Sequence, residues 1–267
     1  MGVNMEKKLE AFKRLLNIMD ELRAKCPWDK KQTFDSLRAN TIEETYELCD
    51  AIMKKDTKEI KKELGDVLLH IVFYSKIASE TNDFDIADVC NSLCDKLIFR
   101  HPHVFGEGNA KSAGEVEQSW EQIKQKEKDG NKSVLAGVPD ALPALIKCYR
   151  IQDKARNVGF DWKEKEDIWH KVEEELNEFK DEVHAMNQEK MEEEFGDLLF
   201  SMINAARLYK INPENALERC NRKFIRRFNH IEKRTKEENK ELSQLSLEEM
   251  DAYWDEAKRI ERENIQS

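Results

Sequence analysis

The sequence predicts an all-α protein built from two tandem copies of one helical-bundle unit. Three observations predict it. Apolar residues recur every three or four positions over long stretches, and no stretch reads as a strand. Gly and Pro are scarce, at 9 and 5, while 37% of the chain is charged, a composition suited to solvent-facing helices. The two halves also repeat a set of residues at one separation. Glu43, Glu44, Glu47, Glu63, Gly65 and Asp66 each stand 131 positions before Glu174, Glu175, Glu178, Glu194, Gly196 and Asp197.

Periodicity places helices in the first half near residues 5–25, 41–54, 57–80, 83–100 and 114–128. Thr41 with Glu44 has the form of a capping box, which would open the second of these, and His101-Pro102 is the stop after the fourth. Turn-forming residues from Asp129-Gly130 through Pro139 interrupt the pattern. The expected organisation is a domain over 1–130, a linker over 131–141 and a second domain over 142–267. Helices in that domain are expected near 142–156, 165–186, 188–209, 213–236 and 247–263. Asn212 before Pro213 is an N-cap followed by a first-turn proline, and Ser246 with Glu249 again has capping-box form.

The repeat continues beyond the acids. Lys96 and Arg100 stand 127 positions before Lys223 and Arg227, and Glu115, Trp120 and Lys124 stand 134 before Glu249, Trp254 and Lys258. The separation changes only between helices, as insertions and deletions in loops of a duplicated unit would make it. Two copies are too few for a solenoid.

A net charge of -10 opposes a broad attraction to nucleic acid or anionic membrane, so direct nucleic-acid binding is not expected and small anionic ligands would need a metal. The six cysteines, Cys26, Cys49, Cys90, Cys94, Cys148 and Cys220, are scattered through a chain with no secretory signal and read as reduced, mostly buried thiols of a cytoplasmic protein. No apolar run has the length of a membrane span, and the start lacks the Ser or Thr of a myristoylation signal.

The acids carry the chemistry. Glu43 and Glu47 are four apart and Glu44 and Glu47 three apart, so they crowd one side of a helix. Glu63 and Asp66 do the same on the next, beside apolar Leu64, Val67, Leu68, Ile71 and Val72. Like charges so placed repel, more so when water is excluded, and a bound cation reverses the sign. Carboxylate metal sites on facing bundle helices are known with a Glu-x-x-His motif, but that histidine is absent here. All-oxygen ligands favour Mg2+, with Mn2+ as a substitute, and Mg2+ shares its shell readily with phosphate oxygens. A carboxylate not used by the metal could orient or deprotonate an attacking water. One such cluster could be a solvated face. Its recurrence with the same spacing in Glu174, Glu175, Glu178, Glu194 and Asp197 argues against that, while Glu173, Glu192 and Glu193 read as solvated only.

Asn221, Lys223, Arg226 and Arg227 lie within two helical turns, and guanidinium groups suit bidentate phosphate contact. The first half offers Lys96, Arg100 and His101 but has Phe99 where the second has Arg226, so it supplies less fixed positive charge. Trp120 and Trp254 each fit either a base-stacking platform or an anchor for a late helix. There is no P-loop and no nucleophile elbow.

These residues resemble the MazG family of two-domain all-α nucleoside triphosphate pyrophosphohydrolases. The likeness runs through Cys26-Pro27-Trp28-Asp29, Gln32-Thr33, Glu43-Glu44-Thr45-Tyr46-Glu47, Glu63-Leu64-Gly65-Asp66 and His101-Pro102-His103-Val104-Phe105. It continues through Asn157 to Trp162, Glu174 to Glu178, Glu194 to Phe200 and Asn221 to Phe228. The resemblance implies Mg2+-dependent hydrolysis between the α and β phosphates of ribo- and deoxyribonucleoside triphosphates, in homodimers where helices of two chains complete the site. It implies Glu175, Glu178, Glu194 and Asp197 as metal ligands, Glu174 as a supporting acid, Lys223 and Arg227 as phosphate contacts and Trp254 near the nucleotide. The same motif places Glu44, Glu47, Glu63 and Asp66 as ligands in the first half, with Glu43 beside them. Clearing damaged nucleotides and controlling a nucleotide signal would use the same hydrolytic site. A helical interaction module with vestigial metal sites is the rival reading, and it predicts no pyrophosphate. A third has one half catalyse while the other senses nucleotide.

Overall fold

The computed structural model describes residues 2–106, 116, 123 and 133–266. Every element among them is helical. The chain divides into two compact units, Met1–Ala113 and Gly114–Ser267. The helix expected over 114–128, with Trp120 and Lys124 on it and Glu115 at its start, lies outside the described residues except for Val116 and Ile123, both helical. Linker residues 131 and 132 lie outside them too.

In the first unit α1 spans Gly2–Lys25, α2 Phe34–Lys54, α3 Thr57–Glu80, α4 Ile86–Arg100 and α5 Pro102–Phe105. α1, α2 and α3 enclose Met19, Leu37, Val72 and Phe73, with Phe12, Leu15, Leu16 and Ile77 packed around them. These positions recur at helical spacing, which is why each helix turns one stripe inward.

Two expectations are corrected. The cysteines, expected mostly buried, are half-buried at Cys26 and Cys148 and exposed at Cys49, Cys90, Cys94 and Cys220, the last four standing on helix stripes that face away from the core. The start of α2 differs as well. α2 starts seven residues before Thr41. Its N-cap is Thr33, which accepts from Ser36 N while Ser36 Oγ accepts from Thr33 N. Thr41 lies inside the helix. Its hydroxyl donates to Leu37 O at 3.0 Å, so it accepts from Tyr74 OH at 2.7 Å and from His70 Nδ1 at 3.0 Å. The Thr-x-x-Glu pattern was met by residues already held in the helix by this contact with α3. His101 ends α4 as expected, and Pro102 then takes the first turn of α5.

In the second unit α6 spans Ala144–Arg156, α7 Asp167–Ala185, α8 Gln188–Leu208, α9 Pro213–Glu237 and α10 Leu247–Gln266. Ile168, Val172 and Ala205 form its core, with Leu198 and Leu208 against them. The expected caps are present: Asn212 accepts from Asn215 N, and Ser246 and Glu249 cap each other's backbone.

The acid-bearing hairpins, α2 with α3 and α7 with α8, turn alike. Lys55 ends α2 at φ 56 and Asp56 caps α3, while Met186 ends α7 at φ 55 and Asn187 caps α8. The 131-residue repeat therefore includes the turn. No helix of the described residues is long and apolar enough to cross a membrane.

Candidate active site

Each hairpin joins its acids at one point. Glu44 of α2 meets Glu63 and Asp66 of α3, and Glu175 of α7 meets Glu194 and Asp197 of α8. In each trio one ligand oxygen per residue lies within 4.8 Å of the others. The i,i+3 spacing on α3 and α8 puts two acids on one face, and the antiparallel partner supplies the third. Glu47 and Glu178 are exposed and stand outside these tight trios, yet their charges reach Glu44 and Glu194 respectively. Glu43 and Glu174 are exposed at the rim.

The electrostatics are those of crowded anions. Loss of water raises the Glu44 carboxyl above its ordinary value, and Asp66, Glu47, Glu63 and Glu43 add to the rise. Glu194 is raised likewise, first by burial and then by Glu178, Asp197, Glu193 and Glu175. Glu63 is 3% exposed. Its Oε1 takes Lys62 Nζ at 2.9 Å, while Oε2 is buried with no hydrogen-bond partner. An unpaired buried carboxylate oxygen among other acids fits a small hard cation. The residues present therefore fit Mg2+.

A cavity of about 640 Å3 opens beside the second trio and takes Glu175 and Asp197 into its wall. Phe160, Trp162 and Phe200 give it aromatic surface, and Gln152 and Asn204 are among its polar lining. Gln152 Nε2 donates to Phe200 O at 2.8 Å, tying α6 to α8. Lys171, also in the wall, stands one turn before Glu175. Its Nζ lies 2.7 Å from Glu175 Oε1 and 2.9 Å from Glu174 Oε1, which holds the ammonium well above its ordinary value, Glu175 first.

Sequence reasoning missed Lys171, Gln152 and the aromatic wall. The signal for Lys171 was readable, since it lies four residues before Glu175 on the same helix. The cavity lining was not, because it gathers from α6, α7, α8, the loop between α6 and α7, and Leu135 ahead of α6.

The basic cluster gathers elsewhere in the second unit. Lys223, Arg226 and Arg227 line a separate cavity with His230 and Glu261, and the two cavities share no lining residue. Glu261 of α10 lies 2.8 Å from Arg227 Nη2 and 3.4 Å from Arg226 Nε. Trp254 packs on Phe224, with ring centroids 5.1 Å apart, and receives the Arg227 guanidinium over its face at 5.4 Å. Asn221 is exposed on α9. In the first unit Lys96 is exposed and Arg100 half-buried on α4.

Residues 32–105 and 163–232 each match the MazG nucleotide pyrophosphohydrolase domain. Both matches span an acid hairpin. The chain is 46% identical to the nucleoside triphosphate pyrophosphohydrolase/pyrophosphatase MazG of Thermotoga maritima, over 92% of this chain and 95% of that protein. It is 43% identical to the nucleoside triphosphate pyrophosphohydrolase of Escherichia coli K12, over 93% and 97%. The uncharacterized protein YabN of Bacillus subtilis is 46% identical over 94% of this chain and 52% of its own length. Two domain matches on two acid hairpins, with the Thermotoga maritima and Escherichia coli relatives aligned nearly end to end, show that this chain belongs to the MazG family.

Proposed function

We propose that the protein hydrolyses nucleoside triphosphates, ribo and deoxyribo, to the monophosphate and pyrophosphate in a Mg2+-dependent reaction for which Mn2+ can substitute. The observation that carries this reading is the trio of Glu175, Glu194 and Asp197 in and beside an aromatic-walled cavity. The relatives named as nucleoside triphosphate pyrophosphohydrolases support it.

Glu175, Glu194 and Asp197 would hold the metal. When bound, the ion supplies neutralisation of phosphate charge and polarisation of the scissile linkage. The chain supplies the rest. Glu178 and Glu174, both exposed, would orient the attacking water and take its proton. Phe160, Trp162 and Phe200 offer faces for a nucleobase, whose stacking needs no particular base. Lys223 and Arg227 would take the phosphates and offset the charge that pyrophosphate carries away.

Since those bases line a different cavity from Glu175, a homodimer in which a second copy brings its basic face to the acids accounts for both. Glu44, Glu63 and Asp66 would hold a metal in the first half, which the unpaired Glu63 Oε2 supports.

The test is chromatographic identification of products from mixed NTPs and dNTPs with Mg2+, using Glu175→Gln and Glu44→Gln as controls. Monophosphate plus pyrophosphate, lost in Glu175→Gln, would establish the reaction in the second half. Diphosphate plus phosphate would reject cleavage between α and β. No turnover would favour a binding module.

A further inference from the structure

We infer that Lys171 is a resident counter-cation, which pairs with Glu175 when no divalent ion is bound and releases that carboxylate when one enters. The inference rests on the metal-holding reading of Glu175 given above.

Three features carry it. Lys171 Nζ contacts an oxygen of Glu175 at 2.7 Å, and Glu175 is one of the three acids whose oxygens converge. Glu175 is only 7% exposed, so it cannot turn its charge to bulk water. The Lys171 side chain is 38% exposed and stands in the cavity wall, so it has somewhere to go. A divalent ion held by Glu175 would share that carboxylate with the ammonium, and two cations on one buried carboxylate repel. The flexible partner leaves. Lysine suits the task because its charge is compact and its four-carbon stem can swing without disturbing the helix.

The freed ammonium stays tethered in the wall, where the ligand's own negative charge can reach it. Lys171 therefore works against the metal alone and with metal and anion together, which is a coupling between the two ligands. The first half has no lysine at the matching position. Asn40 stands 131 positions before Lys171, and the first-half cation, Lys62, approaches Glu63 from α3 instead, at a position whose counterpart is Glu193. Each half thus sets a lysine on a buried acid of its trio, but from a different position, and the Lys171–Glu175 pair itself is particular to the second half.

Mn2+ binding to the full chain tests it, measured by water-proton relaxation in a Glu63→Gln background that suppresses the first-half site. Lys171→Met should bind Mn2+ about two- to fivefold more tightly than Lys171 protein, the range an accessible ion pair is worth. A triphosphate analogue with a methylene bridge between α and β phosphates should raise Mn2+ affinity less in Lys171→Met than with Lys171, and Lys171→Arg should restore much of the effect. Mn2+ affinity unchanged or weakened in Lys171→Met would overturn the inference. Glu175→Gln separates the two levels. If it binds Mn2+ as well as the parent, the metal reading fails and the inference with it; if it loses Mn2+ while Lys171→Met gains none, only the inference fails.

Discussion

Arg207 clasps Asp161, joining α8 to the loop that walls the second-unit cavity. Its Nη1 donates to Asp161 Oδ2 at 3.1 Å and its Nη2 donates to Oδ1. Asn204 Oδ1 accepts from the same guanidinium at 2.7 and 3.1 Å, and Arg207 is 7% exposed. The clasp fixes the loop from which Phe160 and Trp162 face the cavity. Arg207→Met should cost about 2–3 kcal/mol of unfolding free energy, because Asp161 and Asn204 lose their partner in a half-dry setting. Urea denaturation measures this. In kinetics, KM for nucleotide should rise more than kcat falls, since the acids on α7 and α8 are untouched.

Metal binding should be felt as stability, and the effect should depend on pH. Glu44 and Glu194 have carboxyls raised above their ordinary 4.5. For a raised acid, the folded state holds the proton more tightly than the unfolded chain. Its contribution is full below about 4.5 and is lost as pH rises through the raised value. At neutral pH the ionised trios therefore repel, and a divalent ion relieves them. The rise in Tm on adding Mg2+, read by scanning calorimetry, should be larger near pH 7.5 than near pH 5, where protons compete for the same oxygens. A rise independent of pH would place the ion elsewhere.

Thr41→Val keeps the side chain's shape and removes the acceptor of Tyr74 and His70. The loss should be about 1–3 kcal/mol, the cost of leaving buried donors unpaired, and should be confined to the first unit. Burial holds the His70 imidazole below its ordinary 6.5. For a lowered histidine, stability is present above 6.5 and is lost as pH falls toward the folded value. Titration of the His70 ring signals by NMR should give a lower midpoint than 6.5 in wild type.

Two substitutions should stabilise. Gly196 lies inside α8, and a Cβ there would meet nothing within 4 Å, so Gly196→Ala should gain about 0.5–1 kcal/mol of helix propensity. Met186 is 80% exposed and sits at φ 55, a left-handed conformation that costs an L-residue about 1 kcal/mol. Met186→Gly should recover part of that cost. Thermal denaturation of each variant checks both, and loss of Tm in Gly196→Ala would mean that a second chain occupies the open space.

The architecture was legible because it depends on local periodicity. Acids three and four apart must share a helix face, and Asn212-Pro213 and Ser246-x-x-Glu249 act within one turn. Thr41 misled because the same short pattern can be met in mid-helix, where His70 and Tyr74, far along the chain, claim the hydroxyl. The weaker start at Thr33 has Ser36 where a Glu or Gln is the usual sign. Phe160, Trp162, Gln152 and Phe200 could not be grouped from sequence, since only the docking of α6 on α8 brings them together. Lys223 and Arg227, expected as phosphate contacts in a site completed by two chains, line a cavity apart from the acids within one chain, a separation that local spacing does not reveal.

The two hairpin turns bear on how such a gene can change. Only Lys55 and Asp56 separate α2 from α3, and only Met186 and Asn187 separate α7 from α8. One codon gained between such a turn and its acids would rotate Glu63 and Asp66, or Glu194 and Asp197, by about 100° away from their partner helix. Length variation is therefore admissible only beyond the hairpin, and the separation between the halves holds at 131 from Glu43 to Asp66 and has shifted to 127 by Lys96.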